Sequence, residues 1–241
     1  MKTLVVDSSS MTASVAITEN ESIVSEFFMN AGLTHSQTLA PMIDAVLKNS
    51  NTQPKDIDLY AVTNGPGSFT GLRIGAATIK AMAFANNKPC VGVSSLEVLA
   101  YNSFAESSLI CACMDARCDQ VYTALFEIKD GVISRITEDS ADLISNLAEK
   151  LKKTNKNVEF VGDGAISCYN RIIASGQSEK YSVLPEDNRF IKAGNVARLA
   201  LKKYRDGEFC TAEDLTLNYL RIPQAERQLK ERLSKKQGEN L

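Results

Sequence analysis

The sequence predicts an α/β protein in which one supersecondary unit is used twice. Three observations carry that reading. Each half opens on an apolar run that ends in an aspartate, residues 3–7 closing on Asp7 and Leu109-Ile110-Cys111-Ala112-Cys113-Met114 closing on Asp115. Each run is followed by two more strand-like runs, then by helical and strand patterns in alternation. Within the first unit, the glycine-rich stretch Asn64 to Gly75 follows a short apolar run and opens an alanine-rich segment reaching Ala85. That is the grammar of strand, tight turn and helix.

After the first strand come Ser8-Ser9-Ser10 and an alternating run, Met11 to Thr18. Ser22 to Met29 makes a third strand, with Asn20 in the turn between them. Leu39, Met42, Ile43, Val46 and Leu47 then recur at helical spacing over residues 35–49. Either Thr34 and Gln37 form a capping box there, or Thr38 caps the helix with Pro41 in its first turn. Ile57 to Thr63 is a strand, residues 71–86 a helix ended by Lys88-Pro89, and Cys90 to Val93 a short buried strand. Ser95 caps a helix running through Leu99 and Tyr101. In the second half, strands are expected at Gln120 to Phe126 and, after the Asp130-Gly131 turn, at Val132 to Thr137. Helices follow at Ala141 to Lys153 and Ala165 to Ala174, separated by a strand at Val158 to Val161, and Asn195 to Tyr204 is helical. Asp214 to Arg221 is a last strand or an extended arm. This order is the plan of the actin-like ATPase fold, built from two ribonuclease-H-like halves. One lobe takes 1–105 and about 190–222, the second takes 106–189, and 223–241 is a charged, frayed tail.

Composition narrows the function. Apolar content of 44% and charged content of 23% are ordinary for a globular protein. A net charge of −2 excludes a chain that is polycationic throughout. The tail is the exception, because residues 224–236 carry five basic and two acidic side chains. It reads as a solvated, frayed terminal helix first and as a nucleic-acid contact second. The opening residues meet Asp7 too early for a secretory signal, and no run of 18 apolar residues offers a membrane span. Six cysteines then read as reduced thiols. His35 is the only histidine, so a multi-histidine metal site or a second triad is excluded within the chain.

The candidate chemistry is weighed in that frame. In the actin-like plan the two aspartate-bearing turns hold phosphate and metal, and glycine lets the backbone approach the phosphates. Here those turns are Asp7-Ser8-Ser9-Ser10 and Asp115-Ala116-Arg117, without glycine. Gly162-Asp163-Gly164 reads as the remnant of a base-binding turn. Asp7, Asp115, Gly162 and Gly164 are therefore retained only as remnant cofactor candidates. The alternative is an active actin-like ATP-dependent kinase or carbamoyltransferase. A hydrolase using His35 or Ser9 is a further rival. The glycine loop lacks the Gly-Lys-Ser/Thr of a P-loop and its G-x-G-x-x-x-G spacing is one residue off the dinucleotide fingerprint. Close packing of helix 71–86 on strand 57–63 is preferred over an anion cradle. Cys111, Cys113 and Cys118 read as core-type thiols with no partner at zinc spacing.

Several of these segments together resemble one family. Gly65-Pro66-Gly67-Ser68-Phe69-Thr70-Gly71-Leu72-Arg73-Ile74-Gly75 looks like the hallmark segment of the TsaB (YeaZ) family, the accessory proteins of threonylcarbamoyladenosine (t6A) synthesis in tRNA. The start Asp7-Ser8-Ser9, the stretch His35-Ser36-Gln37-Thr38-Leu39-Ala40-Pro41, Gly92 to Leu96, Met114 to Arg117 with Val121-Tyr122, and Tyr219-Leu220-Arg221 match as well. The resemblance spans roughly residues 1–222. It implies an actin-like fold, a cytoplasmic location and no catalysis or metal of this chain's own. It also implies a heterodimer with the related transferase TsaD, a homodimer when alone, and functional association with TsaE and TsaC. ATP and metal are expected on the partner subunits, and tRNA is reached through the complex. The transferase has a His-x-x-x-His pair, and Leu39 stands where the second histidine would be. Family dimers pair two helices with two of the partner, so Leu39, Ile43, Leu72, Gly75, Ala76, Ile79 and Ala83 on helices 35–49 and 71–86 are expected to include the interface.

Overall fold

The computed structural model describes residues 1–106, 108–174 and 179–221. The first unit runs β1 (Lys2–Asp7), β2 (Ala13–Glu19), β3 (Ser22–Met29), α1 (His35–Asn49), β4 (Leu59–Gly65), α2 (Phe69–Asn86), β5 (Cys90–Ser94) and α3 (Ser95–Ala100). The second runs β6 (Leu109–Asp115), β7 (Gln120–Lys129), β8 (Val132–Arg135), β9 (Ser140–Leu143), α4 (Ile144–Thr154), β10 (Val158–Val161), α5 (Ala165–Ile173) and β11 (Tyr181–Val183). The chain then forms α6 (Glu186–Arg189) and α7 (Ala193–Arg205). Among the described residues no helix is long and apolar enough to cross a membrane.

The repeat is visible in the strand order. The first sheet is β3-β2-β1-β4-β5, and the second, read the same way, is β8-β7-β6-β10-β11. In each, three antiparallel strands continue into two parallel ones reached by helical crossovers. This is the actin-like arrangement. The first and central strand of each sheet carries the aspartate at its C-terminal end.

Alternation along the central strands builds the layers. Leu4 and Val6 of β1 pack with α1 and α2, while Val5 faces the opposite side. On β6, Ile110, Ala112 and Met114 face the first sheet's side, and Leu109, Cys111 and Cys113 pack with α4 and α5. The middle layer is α3 and α7, whose Leu96, Leu99, Val196 and Ala200 join residues of both sheets in one core. Each fully buried Leu or Ile contributes about 2 kcal/mol by area removed from water.

Several expectations change. Residues 141–143 belong to β9, not to the helix, which begins at Ile144. Ser140–Leu143 pairs antiparallel with Gln120–Thr123, and this tertiary pairing overrides helix propensity. Asp142 then closes the helix start, accepting from the Asn146 amide at 2.9 Å and the Leu143 N–H at 2.8 Å. Thr34 is the N-cap residue of α1 but makes no side-chain cap bond, and Pro41 lies inside the helix on its exposed face. Asp214 to Arg221 is an extended arm, and its root is an isolated bridge between Cys90 and Cys210. Strand β11 was not expected. The Asp130-Gly131 turn is as read, with both residues at positive φ. The tail 223–241 lies outside the described residues.

Candidate functional site

The C-terminal ends of β1 and β6 and the glycine loop meet around one cleft of about 530 Å³. Ser9, Gly67, Phe69, Asp115, Asp163 and Arg221 are among its walls. The glycine loop forms the first wall. Gly65 has φ +123°, and its peptide to Pro66 is cis. The Ser68 hydroxyl caps α2 by accepting from the Gly71 N–H at 3.3 Å. The Ser68 N–H donates to the Ser9 carbonyl at 2.7 Å, and the Ser8 hydroxyl donates to the Gly71 carbonyl at 2.9 Å.

The glycines are needed for close approach, but their main neighbour differs from the expected one. A Cβ at Gly67 would fall under 3.0 Å from the Ser9 carbonyl oxygen, and one at Gly71 would do the same at Ser8. Gly75 would meet the Ser8 hydroxyl at 2.5 Å before touching Val62 of β4 at 3.4 Å. The loop and α2 are thus seated on the turn after β1. Two of the amides an anion would use are already engaged, Ser68 N–H by the Ser9 carbonyl and Gly71 N–H by the Ser68 hydroxyl, which favours the packing role.

Asp7 lies beneath the cleft. Its Oδ1 accepts from Thr63 Oγ1 at 2.6 Å, Ser9 Oγ at 2.7 Å and Ser9 N at 3.1 Å. Burial raises its pKa and so makes it a weaker acid, against the pull of those bonds. Asp115 does reach the cleft, where Arg117 Nη1 lies 3.6 Å from Oδ2. Gly162 and Gly164 pack on the end of β6, and the Gly164 N–H donates to the Cys113 carbonyl at 3.1 Å. The remnant candidates are therefore split: Asp115 lines the cleft, Asp7 is sealed below it, and the two glycines position Asp163. Ser9 and Ser10 of the first turn line the cleft beside the glycine loop, and Arg117 stands next to Asp115 in the second. Asp7 is enclosed, with Oδ1 held by Thr63 and Ser9 and Oδ2 buried without a hydrogen-bond partner.

Asp163 is a residue that sequence reasoning missed, although two flanking glycines mark it. Its Oδ1 accepts from the Asp115 N–H at 3.1 Å. Burial, with the Asp115 carboxylate adding to it, pushes its pKa up to about 6. The sign follows from linkage. The fold binds this proton more tightly than the unfolded chain does, so its contribution is present below about pH 4 and is lost as pH rises to 6. The loss is on the order of 2–3 kcal/mol. Asp163→Asn keeps the acceptor, so it is expected to flatten the stability profile between pH 4 and 7 in urea titrations.

The second wall was missed too. The arm's Tyr219 stacks on Phe69 with ring centroids 4.8 Å apart. The Arg73 guanidinium lies 3.8 Å from the Phe69 centroid and donates through Nε to the Tyr219 hydroxyl at 3.1 Å. Asn218 N–H donates to the Asn64 carbonyl at 2.7 Å, and Arg221 donates to the Ala116 carbonyl, joining the arm to the second sheet's turn. That turn holds Arg117, Cys118 and Asp119 at φ of 65°, 55° and 55°, a left-handed run without glycine. Nothing in the residue types announced it.

His35 is hydrogen-bonded through Nε2 to the Ser10 carbonyl at 2.8 Å, 25 residues earlier in the chain. Cys111 and Cys113 are buried with sulfurs 3.4 Å apart, and Cys118 is exposed. Among the described residues no group of three His, Cys, Asp or Glu side chains is arranged to hold a metal. The seven expected interface residues Leu39, Ile43, Leu72, Gly75, Ala76, Ile79 and Ala83 are all buried in this chain's own fold. The outward face of α1 and α2 is made instead by Ala40, Pro41, Ala77, Ala81, Phe84 and Ala85.

Comparison with known proteins agrees with the fold. The TsaD family, tRNA N6-adenosine threonylcarbamoyltransferase, matches residues 29–225. The tRNA threonylcarbamoyladenosine biosynthesis protein TsaB of Bacillus subtilis is 29% identical, over 94% of this chain and 96% of its own. The Escherichia coli protein of that name is 30% identical over 68% and 72%. The crystal structure of YeaZ from Pseudomonas aeruginosa superposes with a TM-score of 0.74 at 22% identity, covering 91% of this chain and 99% of that one.

Proposed function

Since the chain belongs to the TsaB family of tRNA threonylcarbamoyladenosine biosynthesis proteins, whose domain is TsaD-like, we propose that it is a non-catalytic subunit that activates the transferase making t6A at adenosine 37 of tRNAs that read ANN codons. The carrying observation is the pair His35 and Leu39. The transferase presents two histidines at this spacing. Here the imidazole is turned onto the Ser10 carbonyl, and Leu39 is a core residue 2% exposed. The enclosed Asp7, held by Thr63 and Ser9, supports the same reading over the kinase or carbamoyltransferase alternative.

The partner is the transferase TsaD, joined through the outer face of α1 and α2; a homodimer uses the same face when the chain is alone. ATP and metal belong to the partner subunits, TsaE and TsaC act in the same cytoplasmic pathway, and tRNA is reached through the assembled complex. The basic stretch 224–236 is a candidate tRNA contact. Depleting the protein from its cell is expected to lower t6A in bulk tRNA, quantified by nucleoside mass spectrometry, and wild-type chain or His35→Ala is expected to restore it. Unchanged t6A would overturn the role, and failure of His35→Ala alone, with the variant folded, would favour catalysis.

A further inference from the structure

We propose that Cys90 and Cys210 form a reversible disulfide that, made by hydrogen peroxide, fastens the root of the C-terminal arm to β5. The two residues are directly opposed in an antiparallel bridge and exchange both backbone hydrogen bonds, Cys90 N–H to Cys210 O at 2.8 Å and Cys210 N–H to Cys90 O at 2.9 Å. Such a pair has Cα atoms about 5.5 Å apart, inside the range that a disulfide spans. Both side chains pack on the same core, beside α2. The Cys210 thiol already lies 3.6 Å from the Cys90 carbonyl oxygen. Access distinguishes Cys210 from Cys90, Cys111, Cys113 and Cys168, which are buried. Cys210 is partly exposed and borders an open groove with Phe84, Phe209 and Glu213.

The chemistry starts at Cys210. Its thiolate attacks one peroxide oxygen, the O–O bond breaks, and hydroxide leaves, giving the sulfenic acid. The Cys90 sulfur then attacks the Cys210 sulfur, and the second oxygen departs as water with the Cys90 proton. Two thiols and one peroxide become one disulfide and two waters. Burial pushes the Cys210 thiol up and the Cys90 thiol to about 12, with the Lys80 ammonium pulling the other way at both. The link therefore forms faster as pH rises above neutral. It closes a loop between residues 120 apart and ties the segment that carries Asn218 and Tyr219 to the sheet.

The test is peptide mapping of the full chain without reduction, in a Cys118→Ser background that removes the exposed thiol. After peroxide, the expected product joins the Cys90 and Cys210 peptides, is lighter by two hydrogens, reverses with a thiol reductant and is lost in Cys210→Ser. Oxidation of Cys210 to the sulfinic acid with Cys90 still alkylatable would overturn the pairing, and so would a link through Cys111 or Cys113. Cys210→Ser removes the partly exposed partner, so it tests the link without disturbing buried Cys90. Oxidation is also expected to raise Tm in the parent and not in Cys210→Ser; a link formed with no rise in Tm would overturn the fastening.

Discussion

Gly71→Ala is expected to lower the stability of the protein by about 3 kcal/mol, read as a fall in the urea midpoint at unchanged slope. The added methyl would stand under 3.0 Å from the Ser8 carbonyl oxygen, a backbone atom that cannot swing aside. Ser8 is itself fixed, because its hydroxyl donates to the Gly71 carbonyl, and Ser9 is held by Asp7 and by the Ser68 N–H. Relief would have to move α2 away from the turn after β1 and open the core formed by Leu4, Ile79 and Ala83. Gly207→Ala is the internal comparison. Gly207 has φ +83° but open space around its Cβ position, so only the left-handed backbone is penalised, by about 1 kcal/mol. Equal costs at the two positions would show that packing on Ser8 does not matter. The same geometry disqualifies Gly75→Arg as a probe of a partner surface, since Gly75 is enclosed by Ser8, Val62 and Val6.

Ala81→Arg is expected to leave the fold intact and to weaken binding to the TsaD partner by roughly a hundredfold, about 3 kcal/mol. Ala81 is exposed on α2, in a stripe with Ala77, Phe84 and Ala85, and Ala40 and Pro41 are exposed on α1. Small residues there allow a partner helix to approach to the usual 8–10 Å, and an arginine at the contact forces the axes apart and loses hydration. Circular dichroism and thermal melting should match the parent, while calorimetric titration with the purified transferase reads the loss. Parent-like affinity would remove this face from the proposed interface.

The two positions also mark where sequence reasoning succeeds and stops. The repeated unit was legible because Asp7 and Asp115 each end an apolar run followed by alternating strands, a pattern of period and punctuation. Helix α2 was legible as a helix but not in its orientation. With alanine or glycine at 71, 75, 76, 77, 81, 83 and 85, small residues lie all round it, and period alone cannot choose the inner face. The arm was legible as extended chain but not in what holds it. Its hold comes from backbone hydrogen bonds and from the Arg73–Tyr219 contact between residues 146 apart, which leaves no local pattern. Strand β9 was hidden by pairing with β7, a partner that helix propensity does not see.

The return of the chain to its first sheet has a consequence for synthesis. Strand β1 leaves the ribosome well before α7, yet α7 supplies Val196 and Ala200 to one of its faces, and the segment leading into the arm adds Ala212 and Leu215 to the core on the other. Until those residues emerge, apolar surface on both sides of the opening sheet stays uncovered. A nascent chain ending before residue 193 is expected to keep binding chaperones, with the second unit free to form first. Release should come in one step, when α7 and the arm close over β1.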